Sequence, residues 1–494
     1  MLTIVSSSEI EKKQVEMLVI PVCEDVDIHP SALMPALLHQ AGSLKEFSGA
    51  DNEAIVFYAP SGSLAAQVMI IGLGKKDKLD GETLRSACGR AIKKCIQKEI
   101  SEALFVVPFK EGLHIEPDAI LEAMVEGALL GNYQFDQFKK PKHPSLLKIA
   151  FAVPEASVLH ARSLSQRTHI ICDGTLLARE WVITPSNLKR PEQFARSLVK
   201  AAEKENLKTE VLDQPALKKK KFGSLLAVSA GSDANARMVI LEHDPGNTTQ
   251  TIALVGKGVT FDSGGINLKS QGSIEDMKMD MAGAAAVAAT MITAARLKLP
   301  VRLIGVLPLV ENMPSGSATR PGDIVKSFSG KTIEINNTDA EGRLILADAL
   351  SYVIQTYKPD AVVDLATLTG ACVVALGERI AGVFSPDDRM SETLIASGRK
   401  TFERCWKMPL PEDYKDLLKS EFADICNITG LKWGGAITAA LFLSEFTENT
   451  RWMHIDIAGP AYVKKETAYC GVGGTGFGVR LLCDWIEKMA GESF

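Results

Sequence analysis

None of the eight histidines is followed by glutamate, so the HExxH helix of the common zinc peptidases is missing. There is no GxSxG nucleophile elbow, and "SGKT" at Ser329 to Thr332 lacks the upstream glycine of a phosphate-binding loop. The nine cysteines are odd in number and contain no CxxC pair, which argues for reduced, buried thiols in a cytoplasmic protein rather than a disulfide framework. No apolar run can span a bilayer. The nearest, "AGAAAVAATMITAA" (Ala282 to Ala295), is short and built of small side chains, as in a tightly packed helix. The N-terminal "MLTIVSSSEIEKK" lacks the charged-then-apolar layout of a secretory signal. A net charge of −5 gives no reason to expect nucleic acid as a partner. The basic run Lys218 to Lys221 reads as the solvated end of a short helix. "GVGGTG" (Gly471 to Gly476) matches GxGxxG, but too little chain follows it for a dinucleotide site, so its glycines predict a tight turn into the last helix.

At 494 residues, with 46% hydrophobic and 23% charged residues, the chain is a globular protein too long for one ordinary core. Its first third alternates β-branched runs such as "EMLVIPV", "AQVMIIGLG" and "EALFVVPF" with helical stretches, the pattern of an α/β layer domain over residues 1–156. A helical pattern then runs over 157–185 until Pro185 stops it, and predicts a connecting helix. A larger α/β pattern follows over 186–494, with strands "KTEVL", "MVILEHD", "TIALVGKGVTFD", "VRLIGVLPLV", "TIEIN", "DAVVDLATL" and "WMHIDIAG". The expected fold is therefore α/β: a smaller N-terminal domain joined by a helix to a larger C-terminal domain with a mixed, mostly parallel central sheet.

Reactive residue types cluster directly after several of the later strands, where open α/β sheets build their sites. In "VGKGVTFDSGGINLKSQGSIEDMKMDMAGAAAV", Lys257 ends an apolar strand, Asp262 precedes a Gly-Gly pair, Lys269 follows, and Asp280 enters the alanine-rich helix. In "NTDAEGRL" (Asn337 to Leu344), Asp339, Glu341 and Arg343 alternate where a strand gives way to a helix. Each acid alone could cap a helix or sit in a turn. Together they put four carboxylates beside sheet ends, which is prohibitive unless cations neutralise them. Two divalent ions meet that need, because such pairs sit about 3.5–4 Å apart within reach of bridging carboxylates. Read as an extended segment, Asp339 and Glu341 would face the same way. Lys257 beside cations would have a depressed pKa and could ligate as a neutral amine. An oxygen-rich donor set without histidine suits zinc, manganese or magnesium. A two-metal phosphohydrolase would also fit the carboxylates, but it usually adds a basic or glycine-rich phosphate cradle, and none accompanies them.

"NTDAEGRL" resembles the signature of the leucyl aminopeptidase (cytosol aminopeptidase) family of dinuclear metallo-exopeptidases. "GKGVTFDSGGINLK", "DMKMDMAGAAAV", "ENMPSGSATRPGDIVKSFSGKTIEI", "GGAITAALFL" and "HIDIAGPA" are similar to its other blocks, in the family's order. The resemblance implies that Lys257, Asp262, Asp280, Asp339 and Glu341 are ligands of two divalent metals, Mn2+ or Zn2+, with Asp262 and Glu341 bridging. It implies that Lys257 and Asp280 serve the looser metal, which also takes the substrate's free amino group, and that Asp339 serves the tighter one. Lys269 and Arg343 would be catalytic, Arg343 by holding a bicarbonate. Met277, Thr367 and Gly370 would line the pocket for a leucine-like first side chain. The implied activity is release of the N-terminal residue of short peptides through a metal-bridging water, in a cytoplasmic homohexamer without membrane or nucleic-acid partners. Two departures from the family pattern stand out: "VITPSN" replaces an Asn-Pro type turn, and "CNITGLKWGGAIT" carries Leu431, Lys432 and Trp433 where other residues are common.

Overall fold

Strand and helix alternate through most of the chain, and the computed structural model describes them for residues 1–8, 15–29, 47–58, 65–109, 113–246, 248 and 250–491. Part of the N-terminal stretch assessed for a targeting signal, residues 9–13, lies outside these. The chain divides into two compact units, Met1–Cys172 with Lys465–Val472, and Asp173–Lys464 with Gly473–Phe494. The division falls inside the helix Val158–Ile183, where the sequence suggested a separate connecting segment. That helix contributes Ala161 to the core of the first unit and Ala178, Trp181 and Val182 to that of the second.

In the first unit the strands are β1 (Leu2–Ser6), β2 (Val15–Val22), β3 (Ala54–Tyr58), β4 (Ala65–Gly72), β5 (Glu102–Val106) and β6 (Lys148–Val153). They form one sheet in the order β1-β6-β5-β2-β4-β3, parallel except that β3 runs against β4. The helices Gly81–Gln97 and Pro117–Gly131 lie against each other. They approach closely because Gly127 has no Cβ, which would sit 2.1 Å from the Arg85 carbonyl oxygen.

The second unit contains β7 (Lys208–Leu212), β8 (Arg237–His243), β9 (Thr251–Gly256), β10 (Gly258–Asp262), β11 (Arg302–Asn312), β12 (Asp323–Lys326), β13 (Thr332–Ile335), β14 (Ala361–Ala366), β15 (Ala381–Phe384), β16 (Cys405–Lys407), β17 (Ile425–Cys426) and β18 (Arg451–Asp456). Its main sheet runs β16-β15-β18-β14-β9-β11-β8-β7, with β10 added beside β11. The central strands β18, β14, β9 and β11 are mutually parallel. Within this sheet, among the described residues, β15 on β18 and β11-β8-β7 pair antiparallel. "TIALVG" and "AVVDLA" are buried at every position, as strands covered on both faces must be. One face carries the helix Ala282–Leu297, buried from Ala282 to Ala294, and the other carries Glu341–Tyr357. β12, β13 and β17 make a separate small sheet, so "TIEIN" stands apart from the main one.

One expectation is corrected. "TIALVGKGVTFD" is two strands broken at Lys257, because the backbone there turns away from the ladder. The Lys257 N–H still completes the pairing of β9 with β14, donating to the Leu365 carbonyl at 3.0 Å, but its carbonyl leaves the sheet and accepts from Ala284 N–H at 2.8 Å. The break drops Lys257 against the start of the alanine-rich helix. Elsewhere Lys218 to Lys221 are exposed at the end of the helix Gln214–Lys219. The glycines of "GVGGTG" lead into the helix Val479–Ala490. No disulfide is formed among the described residues, and no helix among them is long and apolar enough to cross a membrane.

Candidate metal centre

Parallel strands end on the same side of a sheet, so the residues at and just beyond their carboxyl ends are gathered along one edge. At this edge stand Lys257 after β9, Asp262 closing β10, Asn312 closing β11, Thr367 after β14 and Asp456 closing β18. The turn before Asp280 and the first turn of the helix Glu341–Tyr357 complete the group. Asp262, Asp280 and Glu341 are buried and offer carboxylate oxygens that all lie within 4.8 Å of one another.

Two ammonium groups hold these acids. Lys257, 2% exposed, places Nζ 2.9 Å from Asp280 Oδ1 and 2.8 Å from Glu341 Oε1, and donates to the Thr367 carbonyl at 2.8 Å. Its stem passes over Gly342, where a Cβ would come within 2.7 Å of Lys257 Cε. That glycine is therefore part of the site. Lys269 lies 2.8 Å from Asp262 Oδ2 and 2.6 Å from Asp339 Oδ1. Asp262 is fixed further by the Gly264 N–H at 2.9 Å and Asn312 Nδ2 at 2.8 Å. The Gly264-Gly265 pair takes positive φ, which side chains disfavour, and a Cβ on Gly264 would lie 2.8 Å from Asp339 Oδ1. Thr338 ties the two motifs together, donating from Oγ1 to the Gly264 carbonyl at 2.7 Å and accepting from Asn267 N–H at 2.9 Å.

The positions of Asp339 and Glu341 differ from the extended reading. Thr338 and Asp339 form a turn in which Asp339 N–H donates to Asn337 Oδ1 at 2.8 Å, and Glu341 is the first residue of its helix. Glu341 thus points among Asp262 and Asp280, while Asp339, its side chain 32% exposed, lies against Lys269 at the rim. Arg343, two residues into the helix, is buried and donates from Nη1 to the Asn427 carbonyl at 2.7 Å; its Nε has no hydrogen-bond partner among the described residues. Thr367 is buried and donates from Oγ1 to Asp280 Oδ1 at 2.7 Å. Met277 is partly buried in the turn before Asp280, and Gly370, exposed, opens a short helix after β14 with nothing within 4 Å of where a Cβ would be.

Burial pushes the Asp262 carboxyl up to about 6 and that of Asp280 well above its ordinary value, with the other acids adding to the push. Burial also raises Asp339. Burial alone would raise Glu341 too, but Lys257 and Lys269 hold it below the usual range. For Lys257 burial favours the neutral amine, yet Asp280, Glu341 and Asp262 outweigh it and keep the proton on. Only added positive charge could reverse that balance and free the amine as a donor. Burial lowers Arg343 to about 10, so it stays cationic at neutral pH. Asp280 Oδ2 is buried with no hydrogen-bond partner among the described residues. An orphaned carboxylate oxygen in a nest of buried acids fits hard divalent cations.

The sequence reading passed over several residues that hold the site together. Asn427 accepts on Oδ1 from the N–H groups of Asn336 and Asn337 at 2.9 and 3.3 Å, and donates to the Asn337 carbonyl at 2.7 Å. Asp456 accepts from Leu368 N–H at 3.1 Å and Thr369 Oγ1 at 2.7 Å, anchoring the loop after β14. Asp456 carried the signal used for Lys257, a charge closing an apolar strand. Asn427 and Asn312 carried none, since an uncharged amide near a strand end is common.

Likeness to known proteins extends over nearly the whole chain. Residues 176–483 match the family model described as "Cytosol aminopeptidase family, catalytic domain", and residues 21–142 match that of the family's N-terminal domain. The chain is 44% identical over 475 residues to a probable cytosol aminopeptidase of Syntrophotalea carbinolica, covering 95% of this chain and 94% of that one. It is 39% identical over 507 residues to a probable cytosol aminopeptidase of Chlorobium phaeobacteroides, covering 99% of each. Among solved structures it is similar to the bottromycin maturation enzyme BotP in complex with Mn, with a TM-score of 0.87 and 34% identity over 96% of this chain and 100% of that one.

Proposed function

The chain belongs to the cytosol aminopeptidase family and is a metal-dependent aminopeptidase, and we propose that it removes leucine-like N-terminal residues from short peptides at a dinuclear centre. The observation that carries this reading is the nest of Asp262, Asp280 and Glu341 around Lys257, with one carboxylate oxygen left unpartnered at the ends of parallel strands. Asp262, Asp280, Glu341, Asp339 and Lys257 would hold two divalent ions, manganese or zinc. When bound, such a pair supplies Lewis acidity toward the scissile carbonyl and lowers the pKa of a water bridging the ions, the attacking nucleophile.

The chain's own groups supply the rest. Lys269 keeps its proton, held by Asp262 and Asp339, and donates to the oxygen on which negative charge develops. Arg343 cannot act as a base. With one N–H anchored by the Asn427 carbonyl, its remaining N–H groups would hold a planar anion, a bicarbonate, which would supply a proton carrier for the leaving amine. Met277, Thr367 and Gly370 bound the space for the first side chain, where the missing Cβ of Gly370 leaves room for a branched aliphatic group. The requirement for a free amino group comes from anchoring the substrate at its N-terminus. Family resemblance supports a cytoplasmic homohexamer that admits short peptides.

Metal analysis combined with leucine-anilide hydrolysis tests the assignment. Wild type is expected to carry divalent metal and turn over, and Asp339→Ala to lose both. Full activity in Asp339→Ala would refute the proposed roles.

A further inference from the structure

This inference rests on the aminopeptidase reading and concerns how the same site meets the far side of its substrate. Leu431, Lys432 and Trp433, the tripeptide that departs from the family pattern, lie in the loop between β17 and the helix Gly435–Ser444. Both ends of this loop are fastened to the site. At its start Asn427 holds Arg343 through its carbonyl and the Asp339 loop through its side chain. At its end Gly435 abuts Ala371, where a Cβ would lie 3.4 Å from the alanine methyl, next to Gly370. Gly430 and Gly434 bracket the tripeptide with φ of +72° and +69°, conformations that fix the path and suit glycine. The ring of Tyr414 backs Gly434, with 3.5 Å to where its Cβ would be.

The side chains so displayed are unusual for a surface. Trp433 is 82% exposed, Leu431 59%, and Val374, one helical turn beyond Gly370 and Ala371, 89%. Scattered exposed apolar residues need no explanation, but these flank the approach of Gly435 to Ala371, next to Gly370, where the first side chain is proposed to sit. Between the two apolar members stands Lys432, exposed and paired with no carboxylate among the described residues. Apolar, cationic and aromatic groups in succession complement an apolar side chain carried next to a free carboxylate. The C-terminal residue of a short peptide is such a group.

We propose that this rim receives the leaving fragment of the substrate, the side chain after the scissile bond against Trp433 and Leu431, and the C-terminal carboxylate of a dipeptide at Lys432. The rim sets a preference for dipeptides with an apolar second residue over those with a small one, and for free over amidated C-termini. Peptide length is thereby read at the mouth of the site.

The test uses manganese-loaded wild type, Trp433→Ser and Lys432→Gln, with leucine release measured from Leu-Gly, Leu-Phe and Leu-Phe-amide. Trp433→Ser should lower the ratio of kcat/KM for Leu-Phe over Leu-Gly by about tenfold, the scale of losing one aromatic contact. Lys432→Gln should lower the ratio for Leu-Phe over its amide about threefold, as fits a solvent-exposed charge pair. Light scattering on each variant reports the assembly. Unchanged ratios in active variants would overturn the proposal. So would parallel loss on all three substrates together with dissociation, which would assign the surface to a second copy of the chain. If manganese-loaded wild type releases no leucine from any of them, the aminopeptidase reading itself falls, a result distinct from unchanged ratios in an active enzyme.

Discussion

Replacing Lys257 by methionine removes the ammonium that touches Asp280 and Glu341 while keeping the aliphatic stem that passes over Gly342. Each contact is close to 3 Å, and an attraction at that range is worth about 5–6 kcal/mol before desolvation at the effective dielectric of protein sites. Measured losses on breaking buried pairs are smaller, ~3–5 kcal/mol, because the stranded partners relax or take up protons. For a unit of roughly 300 residues, at about 2.1 cal/mol/K per residue, that predicts a fall in Tm of about 5–8 °C in metal-free protein at pH 8. Two conditions should shrink the loss. Lower pH is one, because burial raises the Asp280 carboxyl well above its ordinary value and a protonated carboxyl needs no counter-ion. Excess manganese supplies the positive charge that the lysine supplied. The assay is thermal unfolding of wild type and variant, in chelator and in manganese, at pH 8 and at about pH 5.5. A Tm loss of the same size in all four conditions would mean that Lys257 acts only by filling space, and the charge argument would be wrong.

Three further outcomes are expected. Asn427→Ala removes the three hydrogen bonds that hold Asn336 and Asn337, which should reduce stability by ~1–3 kcal/mol and slow turnover about tenfold or more as the Asp339 loop shifts; wild-type rates in a destabilised variant would refute its positioning role. Asp262 at about 6 and Asp280, also raised, bind protons more tightly folded than unfolded, so the stability they contribute falls as pH rises from about 4 through 6 in metal-free protein. Glu341, held low, works oppositely and only at acidic pH, below its ordinary range. With manganese the slope over pH 5–7 should turn positive, since cations need ionised carboxylates; Tm against pH with one sign in both conditions would count against metal at these acids. Lys269→Ala and Arg343→Ala should keep their metal but lose about 10²-fold or more in rate, and metal loss in either would place that residue among the ligands.

Much of this centre was legible in the sequence, but only as a set. Asp262, Asp280, Asp339 and Glu341 could each be a cap or a turn residue alone, and it is four carboxylates with Lys257 beside strand ends that has to be accounted for. The α/β alternation was equally legible, since burial on both faces leaves unbroken runs such as "TIALVG". Short strands escaped notice: β15 and β16 are too brief for any period to show, and they exist through their pairing with β18 and with each other. The break at Lys257 was hidden for a related reason, as it depends on Ala284, about thirty residues along the chain, taking up the Lys257 carbonyl.

By itself the sequence determined the fold class and the kinds of group delivered to the sheet edge, because apolar periodicity and the residue that closes a strand are local properties. Tertiary structure alone decided which acids meet. The parallel pairing of β9 with β11 and β14 brings Asp262, Asp280 and Glu341 together, while the turn at Thr338–Asp339 sends Asp339 to Lys269 instead. Distances between side chains so far apart along the chain are set by strand register and helix packing, and no local pattern carries that information.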